Sequence, residues 1–284
     1  MSRISTGWRL AKDSWALLRA DRSLAIFPAL STAFSAVALA LLLTPGLVGA
    51  AAADKDWVVL PFLVVGGYAA TFFVVYFNVA LAGAARLSMD GRDTTVADGL
   101  AVARERRGLI VKWSLIQFAV GALVHGVEYV MGESAAGRVA AGLVSSVAAA
   151  AWSVSTFFVI PLLALEGLSP GAALKRSASL VRERWGEGLV GSAAIGLAVF
   201  LVALLPLAVL LQGVLAVIDA DPALGAVVGV MWILALMGTL ALGSALGVIF
   251  RVQLYRYSID GAAPGGFAQP DMVAAFRPGR RSTS

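Results

Sequence analysis

The sequence predicts an all-α integral membrane protein with six transmembrane helices, arranged as three repeats of an interfacial amphipathic helix followed by a helical hairpin. Three observations predict it. The 284 residues are 60% hydrophobic and only 14% charged, against about 25% charged in a typical soluble domain. Six apolar stretches lie near residues 24–43, 57–83, 109–131, 139–165, 188–211 and 223–250, and each approaches the roughly 20 residues that span a bilayer. Of the 22 Lys and Arg residues, all but Lys55 and Arg138 fall in four segments, 1–23, 84–112, 166–187 and 251–284. The apolar runs are continuous, whereas a membrane β-barrel needs alternating strands of about 10 residues. Helices are therefore expected.

The charge distribution orients the spans. Loops on the side away from the basic segments are short and acidic, with Asp54, Asp56, Glu133, Asp219 and Asp221. Excess Lys and Arg mark the cytoplasmic side, so both termini are expected in the cytoplasm, with the protein in a bacterial cytoplasmic membrane. The basic clusters are not compact and lack stacking aromatics outside the apolar runs, so nucleic acid is not an expected partner. Anionic lipid headgroups are. Val48-Gly49-Ala50 resembles a cleavage site. The run before it is longer than a signal-peptide core and begins about 23 residues in, so it is read as the first span.

Each repeat is justified in turn. The basic stretches LLRADRSL (17–24), VARERRGL (102–109) and LVRERWGE (180–187) each follow an amphipathic segment and precede a span. Spans 2, 4 and 6 end on Asp90-Gly91, Glu166-Gly167 and Asp260-Gly261, where Gly supplies the positive φ that closes a helix. The repeats run about 4–91, 94–167 and 169–261, with a tail at 262–284. Their natural packing is around a pseudo-threefold axis along the membrane normal.

In the first interfacial helix, Ile4, Trp8, Ala11, Trp15 and Leu18 form the apolar stripe. The second starts at Thr95, with Asp98 placed for a capping box. The third starts with Ser169 as N-cap and Pro170 at the first helical position; its stripe is Leu174, Ala178, Val181 and Trp185. Packing seams of small residues are expected at Gly66/Ala70, at Gly142/Ser146/Ala150 beside Ser145/Ala149/Ser153, and at Thr239/Gly243/Gly247. Pro206 should disturb span 5.

Few ionisable groups lie at membrane depth, where each is a functional candidate. His125 and Glu128 share a face near the outer end of span 3, and Arg138 opens span 4. They form either a clamp on that hairpin or a proton-responsive site. Lys112 is expected to pair with Glu166. Arg251 and Arg256 are expected to bound span 6 and snorkel, and Asn78 and Gln117 to bond between helices. The candidate anionic-lipid contacts are Arg19, Arg22, Arg104, Arg106, Arg107, Lys175, Arg176, Arg182 and Arg184.

With no Cys and one His, disulfides, thiol redox chemistry and His/Cys zinc sites are excluded. No cofactor is expected. No phosphate-binding Gly loop or nucleophile elbow is present, so an enzyme is not expected, and a hydrolase built on His125 ranks last. The expected function is a non-enzymatic membrane protein that binds lipid or scaffolds a partner through its basic face. The alternative is a transporter or flippase, and the lack of Asp or Glu near mid-membrane counts against ion coupling.

Four stretches carry a family resemblance: YFNVALAGAARLSMDGRDTTVADGLAVA (76–103), AVGALVHGVEYV (119–130), TFFVIPLLALEGLSPGAALKRSASLVRERWGE (156–187) and FRVQLYRYSIDGAAPGGF (250–267). The chain resembles an uncharacterised bacterial family of six-helix membrane proteins. It is distantly similar to the membrane domain fused to some glycerophosphodiester phosphodiesterases and to YciC-type inner-membrane proteins. The resemblance implies fold and location; the phosphodiesterase chemistry belongs to a soluble domain that these residues do not resemble.

Overall fold

Apolar continuity makes long helices, and the structure, a computed structural model, is built of them. It describes residues 14–19, 21–131, 135–184 and 200–260; these are helical apart from short turns, and no strand occurs among them. Residues 14–19 form a helical segment. It is followed by α1 (Arg22–Ala53), α2 (Leu60–Met89), α3 (Val96–Glu105), α4 (Arg107–Met131) and α5 (Ala135–Ser155). A short turn α6 (Val159–Pro161) leads into a widened turn Leu162–Glu166, and then α7 (Pro170–Arg184), α8 (Leu205–Ala220) and α9 (Pro222–Asp260) complete the order. Among the described residues, five helical stretches are long and apolar enough to cross a membrane: Ser23–Ala53, Asp56–Met89, Arg107–Gly126, Ala141–Glu166 and Pro222–Ile259. The protein is a multi-pass membrane protein by this measure. α8 is apolar but shorter; residues 188–199 of the expected fifth span lie outside the described residues.

The ends differ from the expected ones for local reasons. α1 runs ten residues past 43 to a left-handed Asp54 (φ 52°), a conformation that Asp tolerates better than most residues. α8 continues to Ala220, and Asp221 alone separates it from α9, its carboxylate accepting the backbone N–H groups of Ala223 and Leu224. Gly225 lets the hairpin close: a Cβ there would stand 2.4 Å from Ile218 Cα. α9 extends past 250 to Asp260 and carries Arg251 and Arg256 within it. The ladder widens to i→i+5 spacing over Phe200–Leu204, just before Pro206. The missing N–H and the ring of Pro206 disturb the turn before it.

The expected fourth span is interrupted at Thr156–Phe158. Pro161 has no N–H for the carbonyl four residues back, and its ring crowds that carbonyl. The loosened turn leaves the Phe158 N–H to a tertiary partner. The widened Leu162–Glu166 turn follows and ends on left-handed Gly167 (φ 65°). Gly91 is left-handed too (φ 73°), as expected for both acidic-Gly turns; Gly261 lies outside the described residues.

The core sits at the basic end of the bundle. Every residue from Val79 to Ala85 of α2 is buried, so this helix is enclosed on all sides there and acts as the axial element. Around it pack Leu24 and Phe27 of α1, Ala103 of α3, Ile110 and Trp113 of α4, Phe158, Leu162 and Leu163 after α5, Leu180 of α7, and Phe250 and Leu254 of α9. Towards the far end, side chains such as Leu41, Leu123, Val147, Val209 and Met231 are exposed, as suits surfaces solvated by acyl chains.

Candidate functional site

The site is built where the acidic-Gly turns meet the last turns of α9. Asp90, just after α2, pairs with Arg256 at 2.6 Å, both side chains partly buried. Glu166, at the end of the widened turn, accepts a hydrogen bond from the Tyr255 hydroxyl. Adjacent residues of one helix therefore hold the ends of two others. Arg86, Leu165, Glu166, Tyr255, Arg256 and Ile259 line a cavity of about 220 Å³. Arg86 lies in the last turn of α2 and is exposed; no carboxylate among the described residues pairs with it.

These contacts correct two expectations. Glu166 is held by Tyr255, not by Lys112, which is exposed. Arg256 forms an ion pair, and Arg251 stacks over the Phe157 ring at 5.2 Å, because α9 continues past both and packs them on neighbouring turns. Gln117 and Asn78 do bond between helices: Gln117 accepts from Trp152 Nε1 at 2.7 Å, and Asn78 from Ser244 Oγ at 3.5 Å.

The amphipathic helices hold this end together. Thr95 and Asp98 form the expected capping box of α3. Asp98 lies below the usual carboxylate pKa, through the Thr95 hydroxyl and then the Thr95 backbone N–H. α3 reaches the backbone of α2 because two glycines meet there: Gly83 faces Val102, and Gly99 faces Phe27 and the Ala80 carbonyl. Ser169 Oγ accepts the Ala172 N–H at the start of α7, as expected.

The α7 stripe is rolled by one position from the expected one. Ala173, Ser177, Leu180 and Val181 are buried, while Leu174 and Ala178 are half-buried, and Trp185 lies outside the described residues. The reason is polar: Ser177 Oγ accepts the Phe158 N–H freed by the break after α5 (3.0 Å). The first stripe is rolled too. Ser14 and Leu18 are buried and Trp15 is exposed, with Arg19 over its ring at 5.9 Å. Ser14 Oγ donates to Gln253 Oε1 of α9 (3.4 Å); Ile4, Trp8 and Ala11 lie outside the described residues.

Asp21 ties the N-terminus of α1 to the loop before α3. Its carboxylate accepts from Ser23 N–H and Oγ and from Thr94 Oγ1. Burial raises its pKa, but the Ser23, Thr94 and Ser88 hydroxyls outweigh that and hold it below the usual carboxylate value.

Of the expected lipid contacts, Arg19, Arg104, Arg107, Lys175, Arg176 and Arg182 are exposed. Arg106 is half-buried, its guanidinium lying on Gly167, where a Cβ would come within 2.8 Å of it. The side chains of Arg22 and Arg184 lie outside the described residues. At the far end, His125 is exposed on α4; the side chains of Glu128 and Arg138, its expected companions, lie outside the described residues. Of the expected small-residue seams, Gly66/Ala70 faces α1, with Leu42 Cβ at 3.4 Å from a Gly66 Cβ and Ser35 Oγ donating to the Ala70 carbonyl. Gly142, Ser146 and Ala150 are exposed and only Ser145 beside them is buried. In α9 the fully buried small residue is Ala245.

Sequence reasoning missed Arg86, Tyr255 and the role of Asp90 and Glu166 as α9 ligands. The usable signal was the pair of acidic residues before the turn glycines, each free to accept a donor. The chain belongs to a family of unknown function, DUF6159, whose model matches residues 56–266. No curated protein and no solved structure matches it.

Proposed function

We propose that this DUF6159 member is a non-enzymatic protein of a bacterial cytoplasmic membrane that engages anionic lipid through a basic cytoplasmic face. The observation that carries the reading is the exposure of Arg19, Arg104 and Arg182, which occupy the same position in the three basic stretches. Each cation near an anionic leaflet adds about 1 kcal/mol of attraction. The reading includes six spans, the fifth near 188–211, both termini in the cytoplasm, and three repeats diverged from one unit. Two features support the repeats: the three matching arginines and the shared left-handed Gly91 and Gly167. The distant kinship to YciC-type proteins and to the phosphodiesterase membrane domain belongs to the same reading and rests on the 156–187 stretch.

A transport path is the weaker reading, because Trp113, Phe158, Phe250 and Leu254 fill the centre of the basic end. Native mass spectrometry of the gently extracted protein tests the proposal. Retained anionic lipid should be lost on Arg104→Glu with Arg182→Glu. Unchanged retention would refute the lipid reading, and a stoichiometric protein in its place would make the basic face a scaffold.

A further inference from the structure

We infer that the cavity between α2, α9 and the turn after α5 is a binding site for a phosphodiester headgroup that also carries a primary ammonium, the chemistry of a phosphoethanolamine lipid. This rests on the lipid reading above but concerns a different surface with a different charge balance.

The exposed arginines of the amphipathic helices present one sign of charge. The cavity does not. Its wall carries two guanidinium groups, Arg86 and Arg256, and one carboxylate, Glu166, with Asp90 just behind. Arg256 is engaged by Asp90, so Arg86 is the cation left to meet an anion. Glu166 takes the Tyr255 hydroxyl on Oε1, and among the described residues nothing bonds its second oxygen. An anionic headgroup satisfies Arg86 but sets a second negative charge beside Glu166. A headgroup with phosphate and ammonium satisfies both. The ammonium donates to the carboxylate as a charge-assisted bond, and the phosphate accepts from the guanidinium. A quaternary ammonium has no N–H to donate, so a phosphocholine headgroup loses that half of the match.

Size and depth agree. The cavity, about 220 Å³ and partly open to its surroundings, has room for a small polar headgroup. At 1.5 Å per residue, Arg86 lies roughly 45 Å along the helix from Asp56, and Arg256 roughly 51 Å from Pro222. A bilayer with its headgroup zones is about 40–45 Å thick. The cavity therefore stands at the headgroup–water boundary of the basic face. Ile259, exposed at its rim, offers apolar surface on the same side. A lipid headgroup and a free phosphoethanolamine ester share this chemistry.

The test uses the full chain in detergent, titrated with phosphatidylethanolamine, phosphatidylglycerol or phosphatidylcholine and read by native mass spectrometry, with soluble phosphoethanolamine as a competitor. The wild type should retain phosphatidylethanolamine over the other two. Arg86→Gln should weaken it about tenfold, the loss of one charge-assisted bond. Glu166→Gln keeps an acceptor for Tyr255 and should abolish the preference over phosphatidylglycerol. Soluble ester that binds where the lipid does not would assign the site to the free headgroup. Equal retention of all three lipids, or a preference unmoved by both variants, overturns the proposal. Arg104→Glu with Arg182→Glu separates it from the broader reading: those changes should reduce phosphatidylglycerol retention and leave the phosphatidylethanolamine preference in place.

Discussion

Gly99→Ala should destabilise the protein although it adds only one methyl group to a helix. Helix propensity alone favours the change by about 0.8–1 kcal/mol. Against it, the new Cβ would stand 2.5 Å from Phe27 Cζ and 2.7 Å from the Ala80 carbonyl oxygen. Phe27 is fully buried, and the carbonyl belongs to the enclosed stretch of α2, so neither neighbour yields cheaply. Overpacking of this kind costs about 1–3 kcal/mol. With contacts this short the upper value applies, and the net loss is about 2 kcal/mol. The paired control is Gly108→Ala in α4, where a Cβ meets nothing within 4 Å; it should gain up to about 1 kcal/mol. Thermal and denaturant unfolding of the detergent-solubilised protein measures both. Equal stability of the two variants would refute the claim that α3 docks through Gly99.

Ser177→Ala should cost about 1–3 kcal/mol in unfolding free energy, since it strands the buried Phe158 N–H. A double-mutant cycle with Asp90→Asn and Arg256→Gln should return a coupling of only about 1 kcal/mol, because the pair is partly solvated. The lowered pKa of Asp21 gives stability that is full above its unfolded value of 3.8 and is lost as pH falls through the folded one. Melting temperature followed from pH 6 downward should therefore drop more in the wild type than in Asp21→Asn. Because the chain has no cysteine, single-cysteine labelling reads the topology directly. In intact cells, an impermeant maleimide should modify Asp54→Cys and spare Ala172→Cys; the reverse pattern would invert the proposed orientation.

What was legible in the sequence was local. Thr95 with Asp98, Ser169 with Pro170, and the glycines of the two acidic turns each complete their chemistry within four residues, and each occurs as read. Five of the six apolar runs were legible as membrane-length helices because composition alone sets that property. The roll of the amphipathic helices was not. Hydrophobic periodicity selects the greasiest stripe, but Ser177 and Ser14 are buried for polar partners 19 and 239 residues away. The partner of Glu166 was hidden for the same reason, since Tyr255 is 89 residues off. The break at Thr156–Phe158 contains neither Gly nor Pro; its cause, Pro161, stands three residues later and acts back along the ladder.

That division explains how the basic end helps to define this fold. Lipid gives helices no hydrophobic reason to associate, so long apolar helices of similar composition could pair in many ways. Long-range polar links choose one arrangement: Ser35 to Ala70, Asn78 to Ser244 and Gln117 to Trp152 within the spans, and Asp21 to Thr94, Ser177 to Phe158, Asp90 to Arg256 and Glu166 to Tyr255 at the basic end. Two of these converge on adjacent residues of α9, so the last membrane-length helix closes the ends of the two preceding hairpins at once. Breaking either link loosens one wall of the headgroup-sized cavity without touching the exposed arginines. Tyr255→Phe should therefore lower both melting temperature and the phosphatidylethanolamine preference while anionic-lipid retention stays unchanged. A Tyr255→Phe protein that lost stability but kept the full preference would show that the cavity does not depend on the clasp that frames it.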